Sequence, residues 1–292
     1  MKRKTVLALF LAVGLALTLA ACGGQNAEPA PEEETESAAD TAEETDPETT
    51  EEQSAPVTQD EAVALAVLDR ARTAYLGGEC PAEGHVILGT DESQADTVVV
   101  YAQCSAGNYG FVNGNFEEIS GSGAIPSRLT FTRGEDGTLA LTDYWEAEDG
   151  SGYESSVRET FPEDLVDLAL DTESYYPDLQ EQKEACAGAY LDEIGREAVI
   201  GEYADFDHPL ATDQGMSEEV SNSLMGLEEL QDYPSFLGNV ERVEDGVRWV
   251  YSSEWAPSDD GGTATFTKTN YETQEIAEQH VYEVTGDTYT EA

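Results

Sequence analysis

Basic residues are scarce in this chain. Only 13 Lys and Arg stand against 62 Asp and Glu, and the formal net charge of the 292 residues is −49. Such a surface repels nucleic acid and anionic headgroups, so no nucleic-acid partner is expected. Histidine is also rare, and His85, His208 and His280 fall on separate segments. The motifs H-E-x-x-H, S-x-x-K and G-x-S-x-G are absent, which removes the signatures of zinc peptidase, serine-acylated and α/β-hydrolase chemistry. Four cysteines show no C-x-x-C and no metal-ligand spacing. Neither a metal nor a cofactor is expected.

Long apolar runs are missing, with one exception. Lys2, Arg3 and Lys4 precede an uncharged stretch from Val6 to Ala21, the layout of a secretory signal peptide. The stretch closes on Leu19-Ala20-Ala21-Cys22. This resembles a bacterial lipobox, which implies cleavage before Cys22 and a diacylglycerol thioether on its sulfur. Fatty chains such as palmitate hold a protein at about 0.8 kcal/mol per buried methylene. The predicted location is the extracytoplasmic face of the cell membrane. Losing the three leader bases takes the charge from −49 to −52.

Residues 22–57 follow as Glu, Asp, Thr, Ala and Pro with no Lys or Arg. They bury too little to offset ordering entropy and predict a disordered acidic tether that spaces a folded part from the membrane. Cys80, Cys104 and Cys186 remain beyond it. Cys80–Cys104 is one possible disulfide, and free thiols are the other reading.

The folded part predicts an α+β protein. A helix over residues 58–76 opens with the capping box Thr58-Gln59-Asp60-Glu61 and stops at Gly77-Gly78. Strands are expected over 85–89, 97–104, 128–133 and 139–145, with hairpin turns at Asn113-Gly114 and Asp136-Gly137. Pro162 suits the first turn of a helix to Leu170, and a longer helix over 175–194 ends at Gly195. Its apolar side carries Leu179, Cys186, Tyr190 and Ile194. The expected domains are 58–200, α+β; 201–235, a connector with one short helix near 218–224; and 236–292, a small antiparallel β-meander. In the last, Val247, Trp249, Tyr251 and Trp255 share one strand face.

Four places are weighed for function. Gly107 to Pro126 holds Tyr109, Phe111 and Phe116 among glycines. Aromatics on a glycine-hinged loop suit recognition, and equally could complete a core. Gly121-Ser122-Gly123 lacks the lysine and helix of a phosphate loop and reads as a tight turn using positive φ. Asp143, Trp145 and Glu146 are the choice for a carboxylate pair beside an aromatic platform. The Trp249–Trp255 stripe is either sheet core or a stacking surface for sugar or peptide.

The segments EGHVILGT, TVVVYA, YGFVNGNFEEISGSGAIPSRLTFTR, DYWEAEDGSGY, SSVRETFPEDLVDLALD and YLDEIGREA resemble, in order, the extracytoplasmic region of membrane antirepressor metallopeptidases. These are the beta-lactam-sensor-like regulators of Gram-positive bacteria. FLGNVERVEDGVRWVYSSEW and ATFTKTNYETQEIAEQHVYEV are similar to the end of that region. The peptidase helices, the zinc motif and the acylated serine and lysine of true sensors have no counterpart here. The resemblance therefore implies a stand-alone sensor-side domain, and it transfers no catalytic residue. The expected function is a lipid-anchored binding or accessory sensor module that is not an enzyme. Its partners are the membrane through the lipid and a cell-wall component or membrane sensor protein. The alternatives are a wall-glycan hydrolase using paired carboxylates, and a surface spacer or adhesin.

Overall fold

The computed structural model describes residues 58–292. Cys22 and the acidic tether lie outside them. In chain order the elements are helix α1 (Gln59–Ala74), strands β1 (Cys80–Asp91), β2 (Thr97–Val112), β3 (Asn115–Gly121), β4 (Ile125–Arg133) and β5 (Leu139–Glu146), helices α2 (Tyr153–Thr160), α3 (Val166–Leu170) and α4 (Tyr176–Ile194), strand β6 (Ile200–Glu202), helix α5 (Glu218–Met225), and strands β7 (Gly238–Glu244), β8 (Val247–Ser258), β9 (Gly261–Asn270), β10 (Ile276–Thr285) and β11 (Thr288–Glu291). The class is α+β. The strands form one sheet, antiparallel except where β3 meets β6.

β2 is the spine of that sheet. It pairs with β1 through Val99–Tyr109 and with β4 through Thr97–Cys104, so those two strands lie on opposite edges. Further along, β3 takes the β4 side, and β7 touches the β1 side at Val112 opposite Val240. The C-terminal meander thus continues the same sheet.

Side-chain alternation explains the layers. Val98, Val100, Ala102, Cys104 and Ala106 pack under Val63, Val67 and Ala71 of α1. On the opposite face Tyr101 meets Phe161 and the α2–α3 cluster, and Tyr109 and Phe111 meet Ala187 and Leu191 of α4. Covered on both faces, β2 is buried without interruption from Ala102 to Val112. The capping box holds as expected, with Thr58 and Glu61 bonding reciprocally, and Gly195 caps α4 at φ 66°.

The passage from Gly107 to Pro126 is not a loop. It is the end of β2, a tight turn at Asn113 (φ 50°) and Gly114 (φ 82°), then β3 and the start of β4. The tip of this hairpin clips onto β7. Asn113 Oδ1 accepts the Asn239 N–H at 2.8 Å, and the Asn113 N–H donates to the Asn239 carbonyl at 2.9 Å. Arg196 reinforces the join: it lies over the Phe111 ring at 3.5 Å and forks to Glu241 at 2.6 and 3.0 Å.

Two helix readings need correction. The sequence reading omits α2, and Pro162 precedes its helix by a turn, since α3 begins only at Val166. Residues 201–235 do more than connect. Met216, Val220, Leu224, Leu230 and Tyr233 cover Tyr251, Trp255, Phe266, Tyr282 and Val284.

Candidate functional site

Tyr109, Phe111 and Phe116 have no exposed surface. Phe116 stacks on Tyr109, lies tilted against Phe111 and stacks on Tyr190 of α4. The core alternative is the one the side chains adopt. Asp143 and Glu146 do not converge: an odd spacing on one strand sends them to opposite faces. Asp143 is held by Arg128 at 2.7 Å and Glu146 by Arg70 at 2.6 Å, while Trp145 packs on Phe161. Cys80, Cys104 and Cys186 are all free. Cys80 stands opposite Tyr109 and Cys104 opposite His85, so the two are about 17 Å apart along the strand, far beyond disulfide reach. Burial pushes both thiols up to about 12.

A charged pair escaped the sequence reading. Lys183 Nζ donates to both carboxylate oxygens of Glu118, at 2.6 and 2.8 Å, and the two side chains are only 1% and 8% exposed. Burial drives the Glu118 carboxyl above its ordinary range, and Lys183 pulls the other way. Glycine supplies the room. A Cβ on Gly121 would lie 1.8 Å from Glu118 Oε1, and one on Gly107 2.5 Å from it. Neither Gly121 nor Gly123 has positive φ, so the tight-turn reading of that motif gives way to a space requirement. One signal was visible: Leu179, Lys183, Ala187 and Leu191 recur every fourth residue, which places a lysine in an apolar stripe. A second buried pair, Glu117 with His208 at 2.8 Å, occupies the other face of β3.

The C-terminal strands offer a different arrangement on the face that residues 201–235 partly cover. Register places Arg242 and Glu244 of β7, Trp249 and Tyr251 of β8, Lys268 of β9 and Glu278 and His280 of β10 on one face. Tyr233 comes in from the cover, with its ring against Tyr251 and His280. Eight buried side-chain polar atoms have no hydrogen-bond partner among the described residues, and three of them belong to this face: Tyr233 Oη and His280 Nε2, whose rings are neighbours, and Arg242 Nε, three strands away from His280. Tyr233 as a whole is 5% exposed. Its phenol is pushed up to about 12, by burial first and then by the charge of Glu278.

The charges of this patch balance locally. Lys268 pairs with Glu244 at 2.9 Å and approaches Glu278 at 3.8 Å, and Arg242 lies 3.6 Å from Asp232. Lys268 also sits 5.0 Å from the centroid of the half-buried Trp249 ring. The result is one half-buried indole, Trp249, beside the buried Tyr251 and Tyr233, with unpartnered polar atoms on the same face and little net charge. No group of three or more metal-ligating side chains occurs among the described residues. An open cleft of about 360 Å³ lies elsewhere on the same strands, lined by Gln214, Asn239, Ser252, Glu254 and Trp255.

Compared with protein families, curated proteins and solved structures, the chain matches none.

Proposed function

We propose that the protein is a lipid-anchored, extracytoplasmic binding module, not an enzyme, that presents the Trp249–Tyr233 patch to a cell-wall glycan. The neighbouring unpartnered Tyr233 hydroxyl and His280 imidazole, their ring centroids 6.0 Å apart on the face that carries the half-buried Trp249, carry this reading. Burying a donor or acceptor without a partner costs free energy, about 1–3 kcal/mol each, and a ligand that supplies the partner recovers it. The locally balanced charges favour a neutral, hydroxyl-bearing ligand over an ion. Sugar rings also offer C–H faces to an indole. The carboxylates named for hydrolysis are engaged with arginines, which favours binding over glycan cleavage.

The anchor rests on the leader and on Cys22, and the accessory sensor role rests on the family resemblance. The Cys22→Ser protein should leave the membrane pellet and take up no labelled palmitate; retention with normal uptake refutes the anchor. Binding is tested by calorimetric titration of the full chain with soluble glycan fragments released from bacterial wall. Saturable heat that is lost on Trp249→Ala supports the module, and no heat with the wild type refutes it.

A further inference from the structure

We propose that Lys183 and Glu118 condense into an intramolecular amide that covalently ties α4 to β3. Geometry is the first ground. Nζ contacts both carboxylate oxygens at 2.6 and 2.8 Å. Those contacts put Nζ about 3 Å from Cδ, inside the near-attack range, and a turn of the carboxyl plane presents its face to the nitrogen lone pair. Holding the pair this way replaces a bimolecular encounter with an intramolecular one of very high effective concentration.

Exclusion of water is the second ground. Amides hydrolyse in dilute solution, but here the amine and the acid are 1% and 8% exposed. Two desolvated ions are costly, and the amide carries no charge. Gly107 and Gly121 hold open the space that the carboxyl group occupies, since a Cβ at either position would overlap Glu118 Oε1.

The step balances without a co-reactant. The Lys183 ammonium passes one proton to the Glu118 carboxylate, giving an amine and a carboxylic acid. Burial already holds the Glu118 carboxyl toward its protonated form. The Nζ lone pair attacks Cδ, the C–N bond forms and the carbonyl oxygen takes up negative charge. The Tyr109 phenol, 3.4 Å from Oε2 and itself held by the Gln180 amide at 3.1 Å, can donate to that oxygen. The Cδ–O bond then breaks, and the hydroxyl leaves as water with a proton from Nζ. The Ser122 carbonyl, 3.5 Å from Nζ, accepts the remaining N–H. Such a bond would strengthen a fold in which Cys80, Cys104 and Cys186 are all free.

Tryptic peptide mapping of the full-length denatured protein tests this. Trypsin cleaves after Arg72, Arg128, Arg158 and Arg196, but not after an acylated Lys183. The expected product is a branched species joining 73–128 to 159–196, lighter than the two together by one water. Lys183→Arg should abolish it. Complete cleavage after Lys183, with 159–183 and 184–196 as the only products of that region, overturns the proposal. So does a branched species that persists in Lys183→Arg.

Discussion

The side chain of Gln182 completes the edge of β1 at His85. Its Oε1 accepts the His85 N–H at 3.1 Å, and its Nε2 donates to the His85 carbonyl at 3.1 Å. One residue of α4 thus imitates a neighbouring strand on an edge that would otherwise present free backbone groups. Gly84 permits the approach, since a Cβ there would lie 2.5 Å from the Leu179 carbonyl oxygen of α4.

Gln182→Ala should therefore destabilise the fold by about 1–3 kcal/mol, the cost of leaving two partly buried backbone groups unpaired. Urea denaturation measures it, with the midpoint falling and the slope unchanged. A loss of only a few tenths of a kcal/mol would show that water replaces the amide.

Gly121→Ala forces a methyl group onto the Glu118 carboxylate. The expected loss is about 1–3 kcal/mol from overpacking. In a Glu118→Ala background the same change should cost much less, because the clashing group is gone. Equal costs in the two backgrounds would show that the glycine is needed for another reason.

Tyr109→Ala and Phe116→Ala should each cost about 3–5 kcal/mol, as expected for large aromatics cut from a packed core. Denaturation midpoints of the two single variants decide it. A loss below about 1 kcal/mol at both would return these rings to the surface.

His85 predicts a pH dependence. Burial lowers its affinity for a proton, but Glu83 at 2.9 Å and Asp60 at 3.3 Å outweigh burial and hold it above the ordinary 6.5. A folded-state value above the unfolded one means that the stabilisation is complete below about pH 6.5 and fades as pH rises through the folded value. Wild-type stability should fall from pH 6 toward pH 8 more than that of His85→Gln, by thermal midpoint. Parallel profiles for the two proteins would remove His85 as the source.

Much of the fold is legible in local chemistry. Thr58 and Glu61 announce α1, Gly195 ends α4, and Glu244-Asp245-Gly246 turns β7 into β8, with Asp245 at φ 50° and Gly246 at φ 80°. β2 was readable only to Cys104, because beyond it both faces are buried and the alternation that marks a strand disappears. Gly107 and Gly121 looked like flexibility, yet they serve the Glu118 carboxylate, and only the three-dimensional neighbour reveals that. The candidate patch was half visible. Trp249 and Tyr251 stood out by period, whereas Tyr233, Arg242 and His280 arrive from distant segments that no spacing connects.

The binding role stands or falls on Tyr233. Tryptophan emission followed during titration with soluble wall-glycan fragments compares wild type with Tyr233→Phe, which keeps the ring and removes only the unpartnered hydroxyl. Binding through this patch predicts a saturable change in the wild type and affinity weaker by roughly 2- to 10-fold in the variant, the worth of one hydrogen bond. Identical affinities, or no saturable change in either protein, would contradict it.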